Sequence, residues 1–401
     1  MFNIAILVVA LGYFVDIFDL TLFNMLRIAS LKDLGVPQDQ LIDTGIMLLN
    51  SQMIGMLLGG ILWGVLGDKK GRLQVLFGSI LLYSVANIAN AFVTTIPMYA
   101  FLRFISGIGL AGELGAGITL ITEILPKEKR GLGTAMVATI GVLGATFGGI
   151  MVEHFSWKTC YITGGVMGLL LLFLRIKICE STLFEKAKAN EKIRFGDFQM
   201  LFQNKERFLK FIKCILVGVP IWFIAGLVMA FSPELAKELQ ISGEITAAKS
   251  IGISYLGLAI GDFACGILSQ YLKSRIKSMI SFQIMLIIFV IGLFATAKGQ
   301  SPDYFYSFCF LIGIFAGFWA IFITIAAEQF GTNLRSTVAT SVPNFVRGSV
   351  IPMTLVFKLL KVHYGLMISM SIIGTVVMIF AIWSTLMLEE TFHKDLDYFE
   401  I

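Results

Sequence analysis

Twelve apolar stretches, each long enough to cross a bilayer, recur along the 401 residues with short loops between them, and this repetition excludes most folds at once. A bilayer core needs roughly 20 apolar residues per helical crossing. Backbone inside it must satisfy its own hydrogen bonds, which leaves helices or closed barrels, and runs of this length are helical. The spans read as residues 3–29, 43–66, 73–93, 97–124, 131–151, 158–178, 209–232, 246–268, 276–296, 302–327, 335–360 and 364–388. Composition agrees: 57% of residues are hydrophobic and 14% charged, with a mean hydropathy of +0.85, outside the range of soluble domains. The chain enters its first apolar segment without a charged leader or a small-residue cleavage site, so that segment reads as a span and not as a removed signal.

The basic residues are parcelled into loops. Lys69, Lys70 and Arg72, then Lys127, Lys129 and Arg130, a charged linker over 179–208, Lys273, Arg275 and Lys277, and Arg335 all fall on one side of the weave. Basic loops mark the cytoplasmic face. That orientation sets both termini in the cytoplasm and makes the protein an integral multi-pass component of the plasma (bacterial inner) membrane. The formal charge of +5 then reflects topology, and nucleic acid is not an expected partner. The linker divides the chain into residues 1–178, a six-helix bundle, and 209–401, a second six-helix bundle with a short cytoplasmic tail. Cys160, Cys179, Cys214, Cys265 and Cys309 lack metal-ligand spacing and read as buried free thiols. His154, His363 and His393 sit at span ends or in the tail, with no nucleophile beside them. No cofactor, no metal and no enzyme is expected.

The halves repeat one another. Glu123-x6-Arg130 after span four matches Glu328-x6-Arg335 after span ten. Gly64 to Arg72, GVLGDKKGR, after span two has a degraded counterpart after span eight in Gly266 to Arg275, GILSQYLKSR. Glu180-Ser181-Thr182 follows span six as Glu389-Glu390-Thr391 follows span twelve. Three matches at the same ordinal positions argue for an internal duplication, the plan on which many secondary transporters build a site near the midplane.

These residues resemble the major facilitator superfamily. Gly64-x-Leu66-Gly67-Asp68-x-x-Gly71-Arg72 is similar to its signature loop, and the two Glu-x6-Arg motifs resemble those of sugar porters and organic-acid symporters. Arg103-x3-Gly107-x4-Gly112-Glu113-x-Gly115-Ala116 is similar to the metabolite:proton symporter group. Asp16-Ile17-Phe18-Asp19 resembles the D-x-x-D of aromatic-acid:proton symporters. The resemblance implies an all-α membrane protein with twelve transmembrane helices in two pseudo-symmetric six-helix bundles. Span seven lacks the glutamine-rich pattern of sugar porters, and the second signature loop lacks its aspartate and middle glycine.

Ionisable side chains within spans are costly and mark functional sites. Asp16 and Asp19 stand about 60° apart on one helix, with Asp16 about 20 Å along span one from its basic-loop end. Arg103 lies about 9 Å inside the far end of span four and, unable to lose its proton, needs a partner. The resemblance to sugar porters sets a span-one carboxylate against such an arginine, and Asp19 is the better match in depth. Glu113, about 80° around a continuous helix from Arg103, is a relay carboxyl or a packing partner for the small-residue stripe of Gly107, Ala111 and Gly115. Asp16, Asp19, Arg103 and Glu113 are the proton-coupling candidates.

Arg347 sits about 18 Å into span eleven, with Asn344 one turn earlier on the same face. Two readings stay open: the substrate supplies the missing anion, or Asp262 of span eight pairs with Arg347. Trp222 and Trp319 lie too deep for an interfacial belt, and they either stack on a planar substrate or fill the core. Arg103, Asn344, Arg347, Trp222 and Trp319 are therefore the substrate-binding candidates. Asp68, Arg72, Glu123, Arg130, Glu328 and Arg335 are expected to gate, Asp68 against the amino-terminal end of span eleven and each Glu-x6-Arg as an ion pair. Spans three, six, nine and twelve carry no interior charge, and the resemblance assigns them to the lipid-facing outside.

The sum is a secondary active transporter working by alternating access, a monomer in the lipid bilayer, expected to import a small organic anion or carboxylate metabolite with protons. Export of an amphipathic compound, uptake of a neutral metabolite or sugar, sodium coupling and a non-transporting receptor on the same fold stay open. A receptor needs no titratable pair in span one opposite an arginine in span four.

Overall fold

A computed structural model describes residues 4–124, 127–175 and 198–392. The side chains of Asp68, Arg72, Glu123, Arg130 and Arg335, all expected in the gate, lie outside the described residues, as do Cys179 and most of the linker. The first half comprises Ile4–Asp33, Leu41–Lys70, Arg72–Asn90, Ile96–Leu110 followed by Glu113–Ile124, Lys127–His154 and Trp157–Arg175. The second comprises Lys205–Phe223, a π-helical turn Ile224–Met229 and Ser232–Glu238 as span seven, then Ala247–Leu272, Arg275–Thr296 and Pro302–Ala316 followed by Trp319–Glu328. Span eleven opens as Thr332–Gly348 and runs into Val350–Met387, a helix bent at Gly365 (φ 76°, ψ 176°), beyond which span twelve begins.

Spans four and ten are each two segments where the sequence suggests one. Both breaks fall at an Ala-Gly pair, Ala111-Gly112 and Ala316-Gly317, related by the same offset as Glu123 and Glu328. Glycine weakens a helix interior. At Gly317 the backbone leaves the helical region altogether (φ −76°, ψ 58°). The break also corrects the angle between Arg103 and Glu113, because the two sit on separate segments.

Packing repeats the duplication. A methyl group on Gly107 would overlap the Gln52 carbonyl, and one on Gly55 or Gly59 would overlap the carbonyls of Phe104 or Ile108, so spans two and four meet backbone to backbone. Spans eight and ten meet in the same way, with Gly257 and Gly261 against the carbonyls of Phe310 and Ile314 and Gly313 against that of Ser254. Burial follows the order the charges suggest. In the apolar windows of spans one and seven 83% and 78% of residues are buried, against 39% in span six and 28% in span nine.

The halves meet along spans two and eleven and along spans five and eight. At the end away from the basic loops, Arg27 of span one pairs with Glu234 of span seven at 2.6 Å. There Thr354 Oγ1 donates to Asn50 Oδ1 at 2.9 Å, and Thr146 Oγ1 to the Gly252 carbonyl at 2.9 Å. Nearer the basic loops, Asn344 Nδ2 donates to the Ala111 carbonyl at 3.0 Å, and Thr340 packs over Gly115.

Candidate functional site

Two buried charge centres lie side by side along span one. The first joins the halves. Arg347, 1% exposed, has Nη2 3.8 Å from Asp16 Oδ2, and Asp16 is itself fully buried. Its guanidinium carbon lies 5.9 Å from the ring centroid of Trp222 and 5.8 Å from that of Trp319, within cation–π range of both. Nη1 donates to Asn344 Oδ1 at 3.4 Å, whereas Nε and Nη2 have no hydrogen-bond partner among the described residues. Trp319 Nε1 donates to the Tyr13 hydroxyl at 3.1 Å, and Tyr13 lies one helical turn before Asp16. Tyr255 of span eight also feels the Arg347 charge.

Local structure explains how these side chains converge. Trp319 opens the second segment of span ten, immediately after the Gly317 break. Trp222 lies two residues before the π-helical turn of span seven and two after Pro220, whose missing N–H loosens the helix there. Asp262 serves the same arrangement: its Oδ1 accepts from the Ala320 N–H at 3.1 Å, capping the segment that carries Trp319. The pairing of Asp262 with Arg347 left open by the sequence is therefore replaced by Asp262 as a helix cap and Asp16 as the counterion.

The second centre belongs to the first half alone. Arg103, fully buried, stacks 5.6 Å from the Phe23 ring centroid and 5.5 Å from that of Tyr161, and its Nη1 donates to Asn87 Oδ1 at 3.5 Å. Ser106 Oγ donates to the same oxygen at 3.4 Å. Asp19 is also fully buried, with Arg103 and Asp16 as its charged neighbours. Neither of its oxygens reaches full hydrogen-bond geometry, although the Asn87 amide bears on it. Its Oδ1 fills the space a side chain would take at Gly164 of span six. Arg103 and Arg347 have different neighbours, so the two arginines expected at the substrate occupy separate centres.

Two of the remaining candidates, Glu113 and Glu328, are among the described side chains. Glu113 is 1% exposed in the first turn of the second segment of span four, where the helix dipole favours a carboxylate. Glu328 pairs with Arg275 at 2.8 Å, which links the second Glu-x6-Arg motif to the last residue of the degraded signature loop. Glu390, from the third repeated motif, accepts from the Ser274 hydroxyl and from the backbone N–H groups of Arg275 and Ile276 at the start of span nine. Burial alone would raise that carboxyl, but these hydrogen bonds hold it below the usual range. Cys160, Cys214, Cys265 and Cys309 are buried free thiols, and the described residues contain no group of three or more potential metal ligands. Sequence reasoning missed Tyr13, Asn87, Tyr161, Arg27 and Glu234. Tyr13 had a signal, one turn from an intramembrane aspartate; the others are polar groups that only the packing brings together.

A helical bundle of this length, with buried charges at its centre and apolar outer helices, is that of a polytopic membrane protein. The family model described as Major Facilitator Superfamily matches residues 9–353, and the chain belongs to that superfamily: it is a secondary transporter and not an enzyme. It is 28% identical over 360 residues to a Haemophilus influenzae protein provisionally named a metabolite transport protein, a match covering 84% of each chain. It is 22% identical over 397 residues to the probable 4-methylmuconolactone transporter of Cupriavidus pinatubonensis, covering 95% of this chain and 89% of that one. Its fold is that of a solved D-xylose–proton symporter, with a TM-score of 0.71 at 17% identity over 98% of this chain and 99% of the other.

Proposed function

We propose that this protein is a proton-coupled symporter that imports a small, planar organic anion, with the basic loops and both termini on the cytoplasmic side and residues 1–178 and 209–401 as its two moving halves. The observation that carries the reading is Arg347: a buried guanidinium between two tryptophans, with unbonded Nε and Nη2, countered by a carboxylate at 3.8 Å from the opposite half. That distance is an ion pair without a good hydrogen bond. A substrate carboxylate that takes both free donors gains charge-assisted hydrogen bonds which Asp16 does not make. Displaced from its cation, Asp16 stays buried only as the neutral acid, since an unpaired charge in such a place is costly. Anion and proton therefore load together, and the tryptophan rings accept a flat apolar body behind the carboxylate. The relatives named as a metabolite transport protein and a probable 4-methylmuconolactone transporter support a small-molecule cargo. Purified protein in liposomes with an acidic exterior tests the reading with benzoate-like carboxylates and their uncharged amides. Wild type is expected to accumulate the acids and ignore the amides. Asp16→Asn is expected to exchange labelled for unlabelled acid but not to accumulate it, and accumulation by that variant overturns the assignment.

A further inference from the structure

A groove between spans eight and ten opens near the face away from the basic loops and belongs to neither charge centre. Lys249, in the first turn of span eight, and Asp303, in the first turn of span ten, both line it, together with Ile253, Tyr306, Phe310 and Leu311. It holds about 510 Å³, within the range of small-molecule sites, roughly 300–1,000 Å³. Lys249 and Asp303 are exposed, and no ion pair joins them to each other or to another described residue. Lys249 Nζ lies 4.5 Å from the Tyr306 ring centroid, and the Tyr306 hydroxyl accepts from the Thr246 N–H at 3.2 Å, so cation and ring are held at the start of span eight. Glu153, next to the last residue of the span-five helix, also bears on Tyr306.

The groove runs on into the apolar layer. Ile253, Leu256 and Ile260 follow Lys249 along one face of span eight, and the last two are exposed. From Lys249 to Ile260 is about 16 Å of helix, the depth of one leaflet of a hydrocarbon core roughly 30 Å thick. We propose that this groove binds one glycerophospholipid with an amine head group, a phosphatidylethanolamine of the leaflet opposite the basic loops. Its phosphate sits on Lys249, its ammonium on Asp303, and an acyl chain lies along Ile253, Leu256 and Ile260. Charge complementarity selects the head group. The phosphate accepts a charge-assisted hydrogen bond from the lysine, and the primary ammonium beyond it has N–H groups for the carboxylate. A choline head has no N–H to give. A glycerol head carries a net negative charge and brings no cation to Asp303 or Glu153. Interfacial anchoring alone accounts for a lysine and a tyrosine at this depth. The unpaired carboxylate that shares their groove is what anchoring leaves unexplained.

The test mixes the purified protein in detergent with equal amounts of phosphatidylethanolamine, phosphatidylcholine and phosphatidylglycerol of the same acyl chains, and reads retained lipid by native mass spectrometry. Wild type is expected to retain the ethanolamine lipid over the other two by roughly tenfold, the scale of one hydrogen bond to a charged group. Asp303→Asn should bring the ethanolamine and choline lipids level, and Lys249→Gln should weaken retention of all three. Hydrogen exchange of the wild type in nanodiscs locates the lipid without any variant. Replacing choline lipid by ethanolamine lipid should slow exchange over residues 244–250 and 300–307 and leave the first-half loop over 33–40 unchanged. Equal retention of the three head groups by the wild type overturns the proposal. A preference for phosphatidylglycerol also overturns it, by making Lys249 a contact for anionic lipid. Unchanged exchange over both segments, or an ethanolamine preference that survives both substitutions, overturns it by placing the retained lipid elsewhere.

Discussion

Arg347 is held by partners that it can exchange, and it differs from Arg103 in taking its counterion from the opposite half. Its ion pair is long, two of its nitrogens are unbonded, and its flanking rings come from segments that start or distort beside it. A guanidinium presents a planar fork that an ammonium cannot copy. Arg347→Lys is therefore expected to weaken anion binding by more than tenfold, consistent with about 1.5–3 kcal/mol per hydrogen bond to a charged group. Isothermal titration with a carboxylate ligand checks this, and unchanged affinity removes Arg347 from the site. The depth match between Asp16 and Arg347 was legible in the chain: about 20 Å and about 18 Å from the same end. Their pairing was not, because 1.5 Å of rise per residue gives depth but not which way a helix is turned. Seeking the partner within one half points to Asp262.

At the scale of elements, the run of apolar residues locates every span to within a few positions, since bilayer thickness and backbone hydrogen bonding leave little freedom. The breaks in spans four and ten were not legible, because an Ala-Gly pair also fits an unbroken, closely packed helix. What decides between them is a cap from elsewhere, as Asp262 provides for span ten. Spans one and seven close the face away from the basic loops through Arg27, which pairs with Glu234, donates to the Ala230 carbonyl at 3.4 Å and lies 4.5 Å from the Phe231 ring centroid. Breaking a buried pair by removing one partner costs roughly 3–5 kcal/mol. Glu234→Ala is thus expected to open that face. A cysteine placed at Asn50, which lies behind the closure, should react faster with an impermeant thiol reagent added from outside; an unchanged rate shows that the pair does not hold the face shut.

For the whole molecule, the proposed exchange at Arg347 would fix the electrical character of transport. Before loading, one arginine faces one carboxylate; after loading, the same arginine faces a substrate anion and Asp16 is neutral. On that proposal the loaded and empty carriers hold the same charge, and a monovalent anion would move with one proton and no net charge. A pH gradient should drive accumulation, while a potassium diffusion potential of either sign, imposed with valinomycin at constant pH, should leave the rate unchanged. A strong response to voltage requires a second proton or another ion and contradicts one-for-one exchange.

The glycine contacts that fuse span two to span four and span eight to span ten bear on fidelity. At these glycines the two helices meet with no side chain between them to compress, so each pair is expected to move as one body. When one face of such a body tips inward the opposite face tips outward by a matching amount, and a continuous pore would require the lever itself to bend. Bulk at Gly107 or Gly313 would wedge these helices apart and loosen that constraint. The cost would be seen less in substrate affinity than in a leak of protons and small solutes through a carrier no longer forced to shut one door before opening the other.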